Sequence, residues 1–160
     1  MAKGVQIVVF GIGKELFGVS IEAVHEIVRV PEITAVPDAP PFLEGMINLR
    51  GKILPVIDLR RRLKLSEVQR DKHTRVLITE DGGRLVGLLV DAVSEVIRVP
   101  EEALEPPPEM ISSIGVEYLS AVAKVGDRLI SLLNFTKILG LEDMKKAVSA
   151  ARVSPGSQLA

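Results

Sequence analysis

The sequence contains an internal repeat with an offset of 69 residues. Residues 18–32, GVSIEAVHEIVRVPE, align with residues 87–101, GLLVDAVSEVIRVPE, and eight of these 15 positions are identical. The same offset extends upstream, where each copy predicts a strand, a tight glycine-containing turn and a second strand. Downstream, residues 53–63 align with residues 129–139 after an insertion in the second copy. Because a period of about 70 residues is too long for a solenoid unit, we expect two similar lobes that pack together.

Short apolar runs predict the fold class. Each copy has apolar runs rich in Val, Ile and Leu, separated by Gly, Pro and Asp, which is typical of short strands in small barrels. Pro55 interrupts one run and cannot donate a ladder hydrogen bond, so its strand should be an edge strand or carry a bulge. We therefore predict a mainly β fold with short helical turns, a C-terminal helix at residues 142–153 and a loose tail at residues 154–160.

Composition restricts the compartment and the partners. The chain has no cysteine, which excludes disulfides, thiolate metal sites and thiolate nucleophiles. The N-terminus has no signal-peptide pattern, and no apolar run approaches the roughly 18 residues of a membrane helix. A formal net charge of -1 gives no general attraction to nucleic acid or to acidic membranes. We expect a cytoplasmic protein without direct membrane insertion.

The sequence offers no recognisable catalytic or metal-binding motif. Its two histidines, His25 and His73, lack partners at metal-ligand spacing, and phosphate-binding loops and serine nucleophile elbows are missing from the sequence. Asp58 aligns with Asn134 in the repeat, a change that keeps hydrogen-bonding shape without the charge and so favours a capping or turn role. We expect no enzymatic activity, no cofactor and no metal.

A basic run at residues 60–64, RRRLK, raises nucleic acid binding as an alternative. Strand-faced nucleic acid readers usually present aromatic rings for base stacking. This chain has only four Phe and one Tyr, and most of them lie in apolar strand contexts. Nucleic acid binding therefore remains the less favoured alternative, and it would require a strongly salt-dependent affinity for oligonucleotides.

Two segments carry a family resemblance. Residues 18–63 resemble the first half of CheW-like domains, most specifically in GMINLRGKILPVIDLR, and the second half agrees in VGLLVDAVSEVIRVP, LEPPPEM and VGDRLISLLNFTKIL. The resemblance implies one domain at residues 5–141, with residues 18–65 in the first lobe and residues 74–141 in the second. It also implies two SH3-like five-stranded barrels that share a hydrophobic core, and it allows the lobes to exchange strands.

The resemblance implies a chemotaxis adaptor that joins methyl-accepting chemoreceptors to the regulatory domain of the histidine kinase CheA in receptor arrays at the inner face of the membrane. Arg50 corresponds to the receptor-facing arginine of the family. Val24, Glu26 and Gly45 also match positions implicated in receptor binding, although Val24 could pack a core and Gly45 could shape a turn.

Three apolar residues correspond to the family's kinase-binding positions. Ile27 and Val30 match the first-lobe face that packs on the kinase domain, and Met110 corresponds to an apolar anchor at a second contact. The resemblance also allows weak self-association. It leaves open an alternative, a CheW-like coupler of another kinase array such as one for pilus motility.

Overall fold

The computed structural model describes residues 4–65, 69–107 and 118–139, and strands dominate these ranges. This confirms the predicted mainly β class. The strands are β1 (Gly4–Ile12), β2 (Glu15–Ser20), β3 (Val24–Arg29), β4 (Leu43–Leu49), β5 (Lys52–Asp58), β6 (Arg75–Asp81), β7 (Arg84–Val90), β8 (Ala92–Pro100), β9 (Leu104–Glu105), β10 (Leu119–Val125) and β11 (Arg128–Leu133). The helical elements are two 3₁₀ turns (Ile21–Ala23 and Glu101–Ala103) and two short helices, α1 (Leu59–Arg62) and α2 (Phe135–Leu139). None of the described helices has the length and apolar content needed to cross a membrane.

The strands form two mixed sheets that exchange hairpins. One sheet has six strands in the order β8-β1-β2-β11-β10-β9, and the other has five in the order β3-β6-β7-β5-β4. The β1–β2 hairpin of the first repeat therefore pairs with strands of the second repeat, and the β6–β7 hairpin pairs with strands of the first. In each sheet the exchanged hairpin makes one parallel contact, β2 with β11 and β7 with β5.

The repeat explains why the two sheets are alike. Replacing each strand of the five-stranded sheet by its repeat equivalent gives the order β8-β1-β2-β11-β10, which is the order of the other sheet without β9. The sixth strand is the two-residue β9, which pairs with β10. The predicted lobe boundaries, residues 18–65 and 74–141, stay a prediction.

Three apolar clusters form the core, and one of them joins the two sheets. One cluster lies inside each sheet, and a third, which includes Phe10, Phe17, Leu77 and Leu88, draws residues from both sheets. In the middle of β6, Val76 and Ile78 face the core of their own sheet and Leu77 faces the shared core, so both faces of this part of the strand are buried. The shared core fixes the exchanged hairpins in the centre of the molecule.

The prediction for the strand around Pro55 was wrong. The strand β5 lies between β4 and β7 rather than at an edge, and the register shift of the β4–β5 ladder places the extra residue, Glu44, in β4. The proline is tolerated because the parallel ladder to β7 begins only at Val56, so Pro55 itself lies outside that ladder. The predicted C-terminal helix and tail lie outside the described residues.

Candidate functional site

Arg50 lies in the tight turn between β4 and β5, where the backbone is left-handed. Its φ is 51° and that of Gly51 is 91°. The Asn48 side chain stabilises this turn, because its Oδ1 accepts a hydrogen bond from the Gly51 amide at 2.8 Å. The Arg50 side chain is 68% exposed. The turn therefore presents a cation to solvent from a rigid hairpin.

Glu26 provides the ionic partner of Arg50. It lies on β3 at the edge of the five-stranded sheet, and its Oε2 accepts a hydrogen bond from Nη2 of Arg50. The carboxylate is half-buried and the arginine is exposed, so a partner can reach the cation while Glu26 orients it. The sequence predicted both residues separately as receptor-binding, and the structure brings them together.

The ion pair lies at a polar cleft of about 240 Å³ between β3, the β4–β5 turn and β7. The cleft is lined by His25, Glu26, Leu49, Arg50, Lys52 and Leu85. His25 is exposed on β3, with its Nδ1 3.7 Å from Oε1 of Glu80. The cleft mixes two cationic side chains with one carboxylate and two leucines, which suits a protein surface with both acidic and apolar groups.

Val24 and Gly45 are less accessible than Arg50. Val24 is partly buried and packs against the shared core. Gly45 is buried in β4, and a Cβ on it would lie 2.4 Å from the carbonyl oxygen of Thr34 and 2.6 Å from Cγ2 of Ile33. Gly45 can act on a partner surface only through the backbone shape that it supports, whereas the partly buried Val24 also supports the core beneath β3.

The predicted kinase-binding residues do not form one exposed apolar face. Ile27 is 40% exposed on β3, whereas Val30 packs against the core of the five-stranded sheet. The exposure of the two side chains differs because Val30 lies two residues after the inward-facing Val28, and alternate residues of an extended chain face the same side. Met110 lies outside the described residues. Of the two kinase-binding positions that the structure describes, Ile27 is the one exposed enough for direct apolar contact.

Sequence reasoning missed an equivalent ion pair in the six-stranded sheet. Glu95 on β8 is the repeat equivalent of Glu26, and its Oε2 accepts a hydrogen bond from Nη1 of Arg128 at 2.8 Å. The repeat alignment hid this pair, because Arg50 aligns with Gly126 and Arg128 aligns with Lys52. Four exposed apolar residues also correspond, since Ile27 and Ile53 align with Val96 and Leu129.

The basic run at residues 60–64 is held largely by contacts within the protein. Asp58 caps α1, as predicted, by accepting a hydrogen bond from the Arg60 amide at 3.0 Å. Burial raises the pKa of the Asp58 carboxyl above its ordinary value, although Arg61 and the amide of Arg60 act in the opposite direction. Arg61 contacts Glu44 at 3.1 Å. This engagement leaves the run poorly suited to binding phosphate groups.

The described ranges contain no group of three or more His, Asp or Glu placed to hold a metal ion. The polar groups of the cleft are an arginine–carboxylate pair, a lysine and a histidine. Such an arrangement recognises complementary charge.

Comparisons with known proteins agree with this architecture. The family model described as "CheW-like domain" matches residues 6–143. A "Chemotaxis protein CheW" from Klebsiella aerogenes is 34% identical over 149 residues, which cover 93% of this chain and 90% of that protein. "Protein FrzA" from Myxococcus xanthus is 34% identical over 131 residues, with coverage of 81% and 82%. The crystal structure of the scaffolding protein TtCheW from Thermoanaerobacter tengcongensis superposes with a TM-score of 0.81 at 40% identity, covering 86% of this chain and 94% of that one. The predicted family is confirmed, and the chain belongs to the CheW-like domain family.

Proposed function

We propose that this chain is a non-enzymatic adaptor that couples methyl-accepting chemoreceptors to the histidine kinase CheA. The observation that carries the proposal is the exposed Arg50 in a left-handed turn, paired with Glu26 on the neighbouring strand. A left-handed conformation costs a non-glycine residue roughly 1–2 kcal/mol, and strained positions of this kind occur preferentially at functional sites. The names of the relatives, a chemotaxis protein and a scaffolding protein, support the same function.

The receptor would bind at the cleft. Arg50 offers a planar group with several donors, and it can keep its bond to Glu26 while donating to an acidic or carbonyl group of the receptor. Leu49 and Leu85 line the same cleft and can contact apolar receptor side chains. Val24 and Gly45 would contribute by holding β3 and β4 in place beneath this surface.

The regulatory domain of CheA would contact the outer face of β3 through Ile27, close to the receptor cleft because His25 and Glu26 lie on the same strand. Val30 would support this face from the core side, and Met110 would contribute at a second contact. Because the two surfaces share β3, binding of one partner could change the affinity for the other, and this change is the coupling free energy that the adaptor function requires. The protein would act in the cytoplasm, recruited to the inner face of the membrane by receptor arrays.

Calorimetric titration of Arg50→Glu with a receptor signalling fragment and, separately, with the CheA regulatory domain tests the assignment. Loss of receptor binding with retained kinase binding is expected, because the substitution reverses the charge in the cleft and leaves Ile27 untouched. The matched control is Arg128→Glu, which reverses an exposed arginine at the equivalent hairpin of the other sheet and interrupts an equivalent ion pair.

The titrations test the receptor cleft and the kinase-binding face of β3 separately. Normal receptor binding by a folded Arg50→Glu protein would show that the cleft is misassigned, and an equal loss in Arg128→Glu would show that the effect is general electrostatics. Ile27→Asp should weaken only the kinase titration. If Ile27→Asp binds the kinase domain normally, the β3 face is not the kinase surface.

A second candidate is an adaptor for another chemosensory kinase array. The match to FrzA of Myxococcus xanthus is consistent with it, with the same 34% identity as the Klebsiella protein over a smaller part of this chain, 81% against 93%. The two candidates share one mechanism and differ only in the kinase. Titration against the regulatory domains of all CheA-type kinases of the same organism distinguishes them, because the cognate domain alone should bind with saturation.

A further inference from the structure

Arg60 lies on the single helical turn α1, which follows the five-stranded sheet, and its side chain reaches towards the β1–β2 hairpin of the other sheet. Arg60 donates to both oxygens of Asp91, from Nε to Oδ1 at 3.1 Å and from Nη2 to Oδ2 at 2.5 Å. The same Asp91 Oδ2 accepts a hydrogen bond from the Gly13 amide at 2.7 Å, and the Asp91 amide donates to the Gly11 carbonyl at 3.1 Å. Asp91 lies between β7 and β8, where the chain passes from one sheet to the other.

A second arginine of the same turn reaches α2. Arg62 donates from Nε to the Ile138 carbonyl at 2.9 Å and from Nη2 to the Lys137 carbonyl at 3.2 Å. Its guanidinium lies 4.3 Å from the Phe42 ring centre and 5.2 Å from that of Tyr118. Phe42 precedes β4 and Tyr118 precedes β10, so each sheet contributes one ring. Stacking of a guanidinium on aromatic faces adds attraction to these hydrogen bonds.

These contacts are not a requirement of the duplicated fold. The repeat alignment pairs Arg60 with Thr136 and Arg62 with Ile138. The helix α2 therefore carries no arginine at either position, although the two helices occupy equivalent places in the two repeats. Within the described ranges, these arginine contacts between the sheets come from α1, and Arg60 is only 12% exposed.

We infer that α1 is an inter-sheet clasp, in which Arg60 and Arg62 fix the orientation of the two sheets relative to each other. The strand β5 runs from the Arg50 turn directly into α1. The clasp therefore connects the cleft at one end of β5 to the six-stranded sheet at the other. This last step, transmission from cleft to second sheet, rests on the proposed function.

Distance measurement between spin labels tests the clasp directly. The chain has no cysteine, so Arg29→Cys on β3 and Arg98→Cys on β8 can be labelled without removing native thiols. These two positions are repeat equivalents and both are exposed. The distance distribution is compared with and without Arg60→Gln and Arg62→Gln together, and Arg128→Gln serves as a control that removes an ion pair within one sheet.

Broadening or displacement of the distribution in the double variant, with an unchanged distribution in the control, is expected. An unchanged distribution in a folded double variant would overturn the inference, because the shared apolar core would then fix the orientation alone. If the double variant does not fold, Arg60→Lys and Arg62→Lys together replace it; the lysines keep the charges but lose the planar forks, and the same broadening and refuting outcomes apply.

Transmission from the cleft to the second sheet is tested separately, by receptor-dependent activation of the kinase. Arg62→Lys should retain receptor and kinase affinities while lowering receptor-dependent activation of the kinase. Normal activation would overturn the transmission step. Failure of the proposed function would instead abolish partner binding by the unmodified protein, whereas the label distances would be unaffected.

Discussion

Gly45→Ala should destabilise the protein through steric overlap with backbone. The added Cβ would approach the Thr34 carbonyl oxygen to 2.4 Å. That oxygen cannot retreat freely, because it accepts a hydrogen bond from the Met46 amide at 2.8 Å, and the Thr34 amide donates back to the Met46 carbonyl at 2.9 Å. Overpacking of this kind costs about 1–3 kcal/mol, in addition to the strain of an alanine at a φ of 155°.

Gly51→Ala is the matched control, because Gly51 also has a positive φ, 91°, but its Cβ would meet nothing within 4 Å. It should show only conformational strain, roughly 1–2 kcal/mol. Urea unfolding compares the two variants. With a slope of about 2 kcal/mol per molar, an additional loss of about 2 kcal/mol lowers the midpoint for Gly45→Ala by about 1 M relative to the control.

Equal midpoints for the two variants would refute this reasoning, because the β4 backbone would then have room for a methyl group. A further consequence concerns the site. The receptor affinity of Gly45→Ala is measured and corrected for the fraction of protein that is folded. If Gly45 only supports β4, the corrected affinity should fall only as far as β4 moves. If Gly45 contacts the receptor directly, the affinity should fall even when the protein is fully folded.

Three further predictions concern Arg50, Leu77 and Asp91. Arg50→Gly should keep or raise the free energy of unfolding, because relief of the left-handed strain offsets an exposed ion pair of about 0–1 kcal/mol, while receptor affinity falls; a clear loss of stability would contradict this. Leu77→Ala, at a position 0% exposed in the shared core, should cost about 2–5 kcal/mol by thermal or urea unfolding, and a loss below that range would mean that the shared core relaxes into the cavity. Burial acts to raise the pKa of Asp91, but Arg60 and the Gly13 amide outweigh it and hold the pKa below the ordinary 3.8. Its contribution to stability is thus present above pH 3.8 and lost as the pH falls through the folded pKa, so Asp91→Asn should flatten the acid limb of a stability–pH profile; an unchanged limb would show that Asp91 is not responsible.

The repeat made the order and the kind of elements predictable, but not the pairing of the hairpins. Both copies read as hairpin, strand, hairpin, and each hairpin has the apolar pattern that either sheet needs. Pairing is decided by the whole shared core, which includes Phe10 and Phe17 from one hairpin and Leu77 and Leu88 from the other. A local pattern does not contain that information. The same limit explains the error at Pro55, whose tolerance depends on where the β5–β7 ladder begins.

The residues of the site were predictable one at a time, whereas their contacts were not. Motif similarity indicated Arg50 and Glu26 separately, but their ion pair depends on how closely β3 approaches the β4–β5 turn. The opposite orientations of Ile27 and Val30 follow from their spacing of three residues along an extended segment, but the spacing alone does not say which of the two faces is buried. The pair of Glu95 and Arg128 was missed because its arginine lies two positions away from the equivalent of Arg50.

The most direct test of the adaptor function is ATP-dependent phosphorylation by CheA reconstituted with receptors in membranes, with and without this protein. If the protein couples receptor to kinase through Arg50, kinase activity should rise strongly only when receptor, kinase and this protein are all present. The rise should be lost with Arg50→Glu and retained with Arg128→Glu. Kinase activity that does not depend on this protein, with its cognate kinase and receptors confirmed active, would contradict the adaptor function.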